Sequence, residues 1–387
     1  MNRVTPRRRD LVALTGAVLL LLAACGGGDH AGPTLVWRES SLPTPTGTRA
    51  VVRDAAYCGG RWYVVGATET PALQTHPAVW SSTDALHWRA VRLDPAGGYY
   101  AAREILASVA CRRGRIAVVG ARTGGAHAMP RTATWWQRGD GSLVAVTAPF
   151  VLYGGVKAVN VGRLAGGRHG WLIAGIRASG AAVWRSADAR SFRIDEGAPG
   201  LASTSRTSTQ AFDGAWHDGA WWVVGTAVDS AGHEYATSWT PAGHGHWTEH
   251  VLPSDGSIST AERVVETPQG LVTVGLDNGA FAAWTLAGAS WATTTAFGER
   301  DPAGTAAAYV AGVASVGDEV AVSHSDGSHY RLALGRAGGP WRDVVPPTSV
   351  RVSGDDQLTV AGGDGRFLLV ADPGSGARVW VADAPGG

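Results

Sequence analysis

The chain has 387 residues, 45% of them hydrophobic and only 17% charged, with a net charge of +1. That length can bury a large core and exceeds an ordinary small domain; single units of this size are usual for barrels, propellers and other closed β architectures. The near-neutral charge excludes a nucleic-acid footprint, and 54 glycines without a three-residue period mean many tight turns rather than a fibre.

Arg7, Arg8 and Arg9 precede an apolar run from Leu11 to Ala24. At about fourteen residues the run suits a signal sequence and is too short to span a bilayer comfortably. It ends in Leu22-Ala23-Ala24-Cys25-Gly26, which resembles the bacterial lipobox. The resemblance implies removal of residues 1–24 and lipidation of Cys25, which would hold the protein on the extracytoplasmic face of the cell membrane through its acyl chains. Arg8-Arg9-Asp10-Leu11-Val12 also resembles a twin-arginine export signal, with general secretion as the alternative. Residues 25–33 read as the lipidated cysteine and a glycine-rich tether, and residues 34–387 as one folded domain.

The remainder is a loose repeat. A tryptophan in a short apolar strand is followed some eight residues later by another aromatic or apolar residue: Trp80 by Trp88, Trp135 by Leu143, Trp184 by Phe192, Trp239 by Trp247, Trp284 by Trp291 and, degenerately, Leu334 by Trp341. The landmarks lie roughly 45 to 55 residues apart, the period of four-stranded propeller blades. Upstream of each, two apolar runs flank a glycine-rich turn, as at Cys58-Gly59-Gly60-Arg61, Arg113-Gly114 and Asp218-Gly219, so each unit reads as strands a, b, c and d. No amphipathic helix of useful length appears after residue 33.

Six units run through Trp341. A seventh begins near Gln357, with strands at Leu358–Ala361, Phe367–Ala371 and Arg378–Ala382, and has no fourth strand before Gly387. Leu35-Val36-Trp37-Arg38 matches the fourth strands around Trp88 and Trp341 and would complete the last blade, removing the open edge. The expectation is therefore an all-β, seven-bladed propeller of four-stranded blades closed by the N-terminal strand, with six or eight blades as alternatives.

Trp80-Ser81-Ser82-Thr83-Asp84 and Trp184-Arg185-Ser186-Ala187-Asp188 carry Ser-x-Asp ahead of the aromatics Trp88 and Phe192. This is similar to the Asp-box, or BNR, repeat of sialidase-like propellers, within the broader WD40/YVTN-like group. Ala85 and Ala189 replace the consensus glycine, and Val379-Trp380-Val381-Ala382-Asp383 is a weaker copy whose aromatic would be Trp37. A short acid there accepts backbone N–H groups while the aromatic packs beneath the turn. The resemblance implies a fold and, by itself, no activity.

Sialidases resemble one another in using three arginines on the substrate carboxylate, a Tyr–Glu pair and an aspartic acid/base. Their early Arg-Ile-Pro motif is absent, with Arg53 and Asp54 as its nearest substitute. Arg103, Glu104, Glu262, Arg263, Tyr309 and Arg351 fall near the starts of other a-strands and are expected to rim one mouth of the channel, either as a ligand site or as solvated residues paired with one another. Cys58 and Cys111 occupy matching positions in neighbouring units, as a disulfide or as two buried thiols. His244 and His246, with His233 nearby, lack an evident third metal ligand, and Arg138-Gly139-Asp140 reads as a turn. No phosphate-cradling loop, nucleophile elbow or zinc-protease motif occurs.

The function expected from these residues is a non-catalytic surface module, monomeric, without cofactor or metal, that binds or scaffolds a protein or glycan, a structural or assembly role in the envelope being a further reading. Lipid-anchored photosystem-assembly factors of the Asp-box group are a precedent in kind. The alternative is a sialidase-like glycoside hydrolase, distinguished by a pair of carboxylates at the channel mouth.

Overall fold

A computed structural model describes residues 35–124 and 129–385; Cys25 and the whole export segment lie outside the described residues. Seven antiparallel sheets surround a central axis. Their innermost strands are Arg49–Cys58, Ile105–Arg112, Ala158–Gly167, Thr207–His217, Ser259–Thr267, Tyr309–Val316 and Gln357–Gly363. Each packs against the next, and the last against the first, so the architecture is the expected seven-bladed propeller. The second blade also carries Leu93–Asp94 as a fifth, parallel edge strand beside Leu143–Ala145, which the repeat did not foretell.

The ring closes as expected, with the paired strand beginning a few residues later than Leu35. The pairing strand is Arg38–Ser40, with Arg38 opposite Val381 and Glu39 opposite Trp380, rather than Leu35–Arg38. Leu35 is buried with Phe367 and Trp380, and Trp37 packs half-buried on the same cluster. The apolar residues thus fill the space between blades, and the more polar residues after them form the ladder.

The apolar landmarks hold the blades together. Trp80, Trp135, Trp184, Trp239 and Trp284 are fully buried. Four of their indole N–H groups donate to the connection entering the same blade or to its carboxylate: Trp80 to the Pro43 carbonyl (2.8 Å), Trp184 to Leu152 (2.7 Å), Trp284 to Pro253 (2.7 Å) and Trp135 to Glu104 Oε2 (3.0 Å). Burying the ring while satisfying its one donor is what recommends tryptophan here. Trp62 on a second strand is equally buried.

A bulge recurs in the inner strands of blades one to six, for example between Val52 and Asp54, Ala211 and Asp213, and Ala261 and Arg263. It bends the inner strand over its neighbour. At Gly66, Gly225 and Gly275 a Cβ atom would lie 1.9 Å from the carbonyl oxygen of Val51, Gln210 and Thr260, which explains the glycine of the recurrent Val-Gly in the second strands. In the sixth blade the equivalent position, opposite Val310, is His324.

Candidate functional site

The antiparallel order puts the a–b hairpins and c–d turns on one face and the b–c loops and blade-to-blade connections on the other. Between them, residues just past each bulge, and in blade three a residue within it, form a ring around the channel. Asp54 comes from blade one, Ser108 from two, Arg163 from three, Asp213 from four and Arg263 from five. Arg163 lies 2.9 and 3.0 Å from the two oxygens of Asp54 and 4.0 Å from Asp213.

This ring stitches neighbouring blades. Asp54 accepts the N–H of Val109 (2.9 Å), Ser108 that of Leu164 (3.1 Å) and Asp213 that of Val264 (3.3 Å). Each side chain ties its own inner strand to the next. Arg163 has no acceptor to offer, and the Gly214 N–H is taken by Asp213 of its own strand (2.8 Å). Glu262, at the bulge itself, accepts the N–H of Val310. Burial raises the Asp213 and Glu262 carboxyls above their ordinary range, and burial with the neighbouring Arg163 lowers the Arg263 guanidinium.

The predicted rim separates into several places. Arg53 is half-buried on the channel wall, 3.5 Å from Asp372 and 3.8 Å from Asp355. Tyr309 is hydrogen-bonded to Tyr330, whose hydroxyl reaches the Asp356 carbonyl (2.9 Å). Arg49 shares Asp372 (3.3 Å) and also pairs with Glu69. So Arg53 and Tyr309 belong to one connection-face cluster, while Asp54 and Arg263 lie deeper. Arg103, Glu104 and Arg351 are elsewhere. Glu104 is 1% exposed beneath blade two, on the Trp135 indole, and its carboxyl is pushed up to about 7 by burial. Arg103 ends a short 3₁₀ turn and lies over the Tyr99 ring at 4.1 Å. Arg351 is exposed in the last blade connection, bridged to His329. Arg163, Asp213 and Asp372 were missed. Aligning the repeat copies beginning Asp54-Ala and Asp213-Gly carried a signal for Asp213; Arg163 and Asp372 show themselves only through their partners.

Cys58 and Cys111 are joined, with Cα atoms 5.3 Å apart. Their hairpins abut so closely that a Cβ on Gly59 would lie 2.8 Å from the Gly114 carbonyl oxygen. The Ser82-x-Asp84 and Ser186-x-Asp188 turns have matching geometry. Asp84 accepts from the Leu86 and His87 N–H groups at 2.9 Å, and Asp188 from Arg190 (2.9 Å) and Ser191 (3.2 Å). Ala85 and Ala189 adopt φ of 64° and 63°, the left-handed conformation for which glycine is the usual choice.

The described residues form surface clefts that include three of more than 300 Å³. One, of about 850 Å³, lies on the connection face between blades five and six, beside buried His324 and Asp326. Two lie on the hairpin face, of about 310 Å³ between blades two and three and about 840 Å³ between blades three and four. Among the described residues no group of three or more His, Cys, Asp or Glu could hold a metal ion.

No family model matches the chain, and no curated protein matches it. Several solved structures are similar to it at low identity. The β-propeller domain of the trilobed protease from Pyrococcus furiosus is 10% identical, with 87% of this chain and 94% of that one covered and a TM-score of 0.49. Trypanosoma rangeli sialidase in complex with the inhibitor DANA is 8% identical over 89% of this chain and 59% of that one, with a TM-score of 0.42. SapL1 lectin in complex with α-methyl fucoside is 13% identical over 72% and 96%, with a TM-score of 0.46. These neighbours share the propeller architecture and differ in activity, so they do not choose one for this chain.

Proposed function

We propose that this protein is an extracytoplasmic lipoprotein, anchored through Cys25, whose Asp-box-type propeller is a non-catalytic module that binds a protein or glycan. The observation that supports a non-catalytic role is the use made of the channel carboxylates. Asp54, Asp213 and Glu262 each accept a backbone N–H from the next blade, and Asp54 is also held by Arg163. A general acid or nucleophile must present an oxygen to a substrate; both oxygens of Asp54 and of Asp213 and one of Glu262 accept hydrogen bonds within the ring instead. The arginines nearest the sialidase-type set are likewise paired, Arg53 with Asp372 and Arg49 with Glu69 and Asp372.

Two measurements test the reading. In a bacterial host fed an alkyne-bearing palmitate, the full chain should become labelled and sediment with membranes, and Cys25→Ala should abolish the label. Purified protein should release no product from fluorogenic sialosides, glucosides, galactosides or hexosaminides. Turnover that is lost in Glu262→Gln would replace the binding reading by the hydrolase one.

A further inference from the structure

The cleft between blades two and three is lined by four arginines and one carboxylate, Asp188. The a–b hairpin of blade two reads Cys111-Arg112-Arg113-Gly114-Arg115, and Arg190 joins it from the Ser186–Phe192 turn of blade three. Arg112 is held on the next hairpin, donating to the carbonyls of Gly167 (2.8 Å) and Arg168 (3.2 Å). Arg190 lies 3.8 Å over the Trp136 ring. Among the described residues no carboxylate forms an ion pair with Arg112, Arg113 or Arg115. Among the described residues the one acid in the cleft wall is Asp188; its Oδ1 accepts two backbone N–H groups and lies near the Ser186 hydroxyl, and its charge acts on Arg190, leaving Arg112, Arg113 and Arg115 without a carboxylate. Burial and the adjacent Arg113 both hold the Arg112 guanidinium below its ordinary value.

Such crowding is unfavourable in the unliganded protein. It is relieved by a carboxylate or phosphate, whose oxygens match the guanidinium fork. The cleft does not end there. Trp171, Ala187 and Asp188 form a wall common to it and to the larger cleft of about 840 Å³ between blades three and four. That second cleft has one aromatic wall, with Trp216 packed edge-on against Trp221 and His169, and also holds the Arg185–Asp195 ion pair. A basic pocket and an aromatic one side by side on a single face form a track for a chain. Sugar rings offer C–H faces to the aromatics and acid groups to the arginines.

We infer that the hairpin face of blades two to four binds an anionic polysaccharide, with its carboxylate or phosphate groups at Arg112, Arg113, Arg115 and Arg190 and its rings along the tryptophan cleft. This rests on the reading of the chain as an extracytoplasmic binding module and names the chemistry of its ligand.

The test uses the full chain in a neutral detergent. Titration calorimetry is run with a galacturonic acid hexamer, a phosphorylated mannopentaose, neutral maltohexaose, inorganic phosphate, and vesicles of phosphatidylcholine with one-third phosphatidylglycerol. At least one acidic oligosaccharide should bind, more weakly as salt rises, while maltohexaose does not. The variant Arg113→Ser/Arg115→Ser/Arg190→Ser should bind it about tenfold or more weakly and keep the melting temperature, since these side chains are exposed. Trp216→Phe should weaken the oligosaccharide without changing the response to inorganic phosphate. Failure of both acidic oligosaccharides, unchanged binding by the triple variant, phosphate binding as tight as the oligosaccharide, or binding of the anionic vesicles alone would each overturn the inference. Reducing ends are counted in the same samples. Bound oligosaccharide that is also cleaved would overturn the non-catalytic reading and leave the site; absence of binding without cleavage would do the reverse.

Discussion

His324 provides a quantitative test of how the sixth blade is built. It is 1% exposed, its ring centroid is 4.3 Å from Phe281 and 5.7 Å from Phe297, and its Nδ1 has no hydrogen-bond partner. Burial pushes the ring pKa down from 6.5 to about 4, only partly opposed by Asp326 and assisted by Arg331. The folded state therefore resists a proton that the unfolded chain accepts. The contribution of this residue is undiminished above pH 6.5, falls as pH drops toward 4, and then levels off. At about 1.4 kcal/mol per pH unit the total loss is about 3 kcal/mol, of which about 2 kcal/mol is gone by pH 5. Other groups titrate over this range, Glu104 in the opposite sense, so the measurement is a difference. Urea unfolding of the wild type and of His324→Phe is followed from pH 7.5 to 4. The variant should gain on the wild type by about 3 kcal/mol between these limits. Parallel pH profiles, or a ring resonance titrating near pH 6.5 in the folded protein, would refute the argument that this histidine is buried neutral.

Four further outcomes follow from the same geometry. The Cys58–Cys111 bond closes a sequence separation of 53, so Cys58→Ser/Cys111→Ser should lose up to about 4 kcal/mol on the loop-entropy account; thiol titration of the unreduced, denatured protein should find neither cysteine free. Removing Arg163 leaves the carboxylate of Asp54, which is 1% exposed, without its cation, and Arg163→Met should destabilise by about 3 kcal/mol, part of which Asp54→Asn restores when the two are combined. Deleting residues 34–39 takes away Leu35 and most of the closing strand and should lower the melting temperature by several degrees; an unchanged melt would sink the closure. Ala85→Gly should be neutral or slightly stabilising, because a left-handed φ of 64° costs alanine about 1 kcal/mol and glycine nothing, whereas Gly66→Ala, with no room for a Cβ, should unfold blade one.

How much of this was legible beforehand depends on distance along the chain. The blade count, strand boundaries and ring closure came from the spacing of Trp80, Trp135, Trp184, Trp239 and Trp284 and from the orphan strand near Trp37, because a repeat writes each local unit several times over. The Ser-x-Asp turns were readable for the same reason: their hydrogen bonds run between residues two and three apart. The start of the closing strand at Arg38, three residues after Leu35, was not readable, since it was decided by where Leu35 and Trp37 find an apolar cleft.

The sequence by itself determined the period, the all-β class and the two hairpins that carry the cysteines. Only the tertiary structure decided what the charged residues do. Arg53 and Asp54 are adjacent in sequence yet serve different partners, Asp372 across the closure and Arg163 two blades on. Glu104, one of the expected rim residues, holds a core tryptophan. Strand periodicity depends on nearest neighbours and survives in one dimension, whereas an ion pair or a crowded arginine cleft depends on which blades the ring brings together.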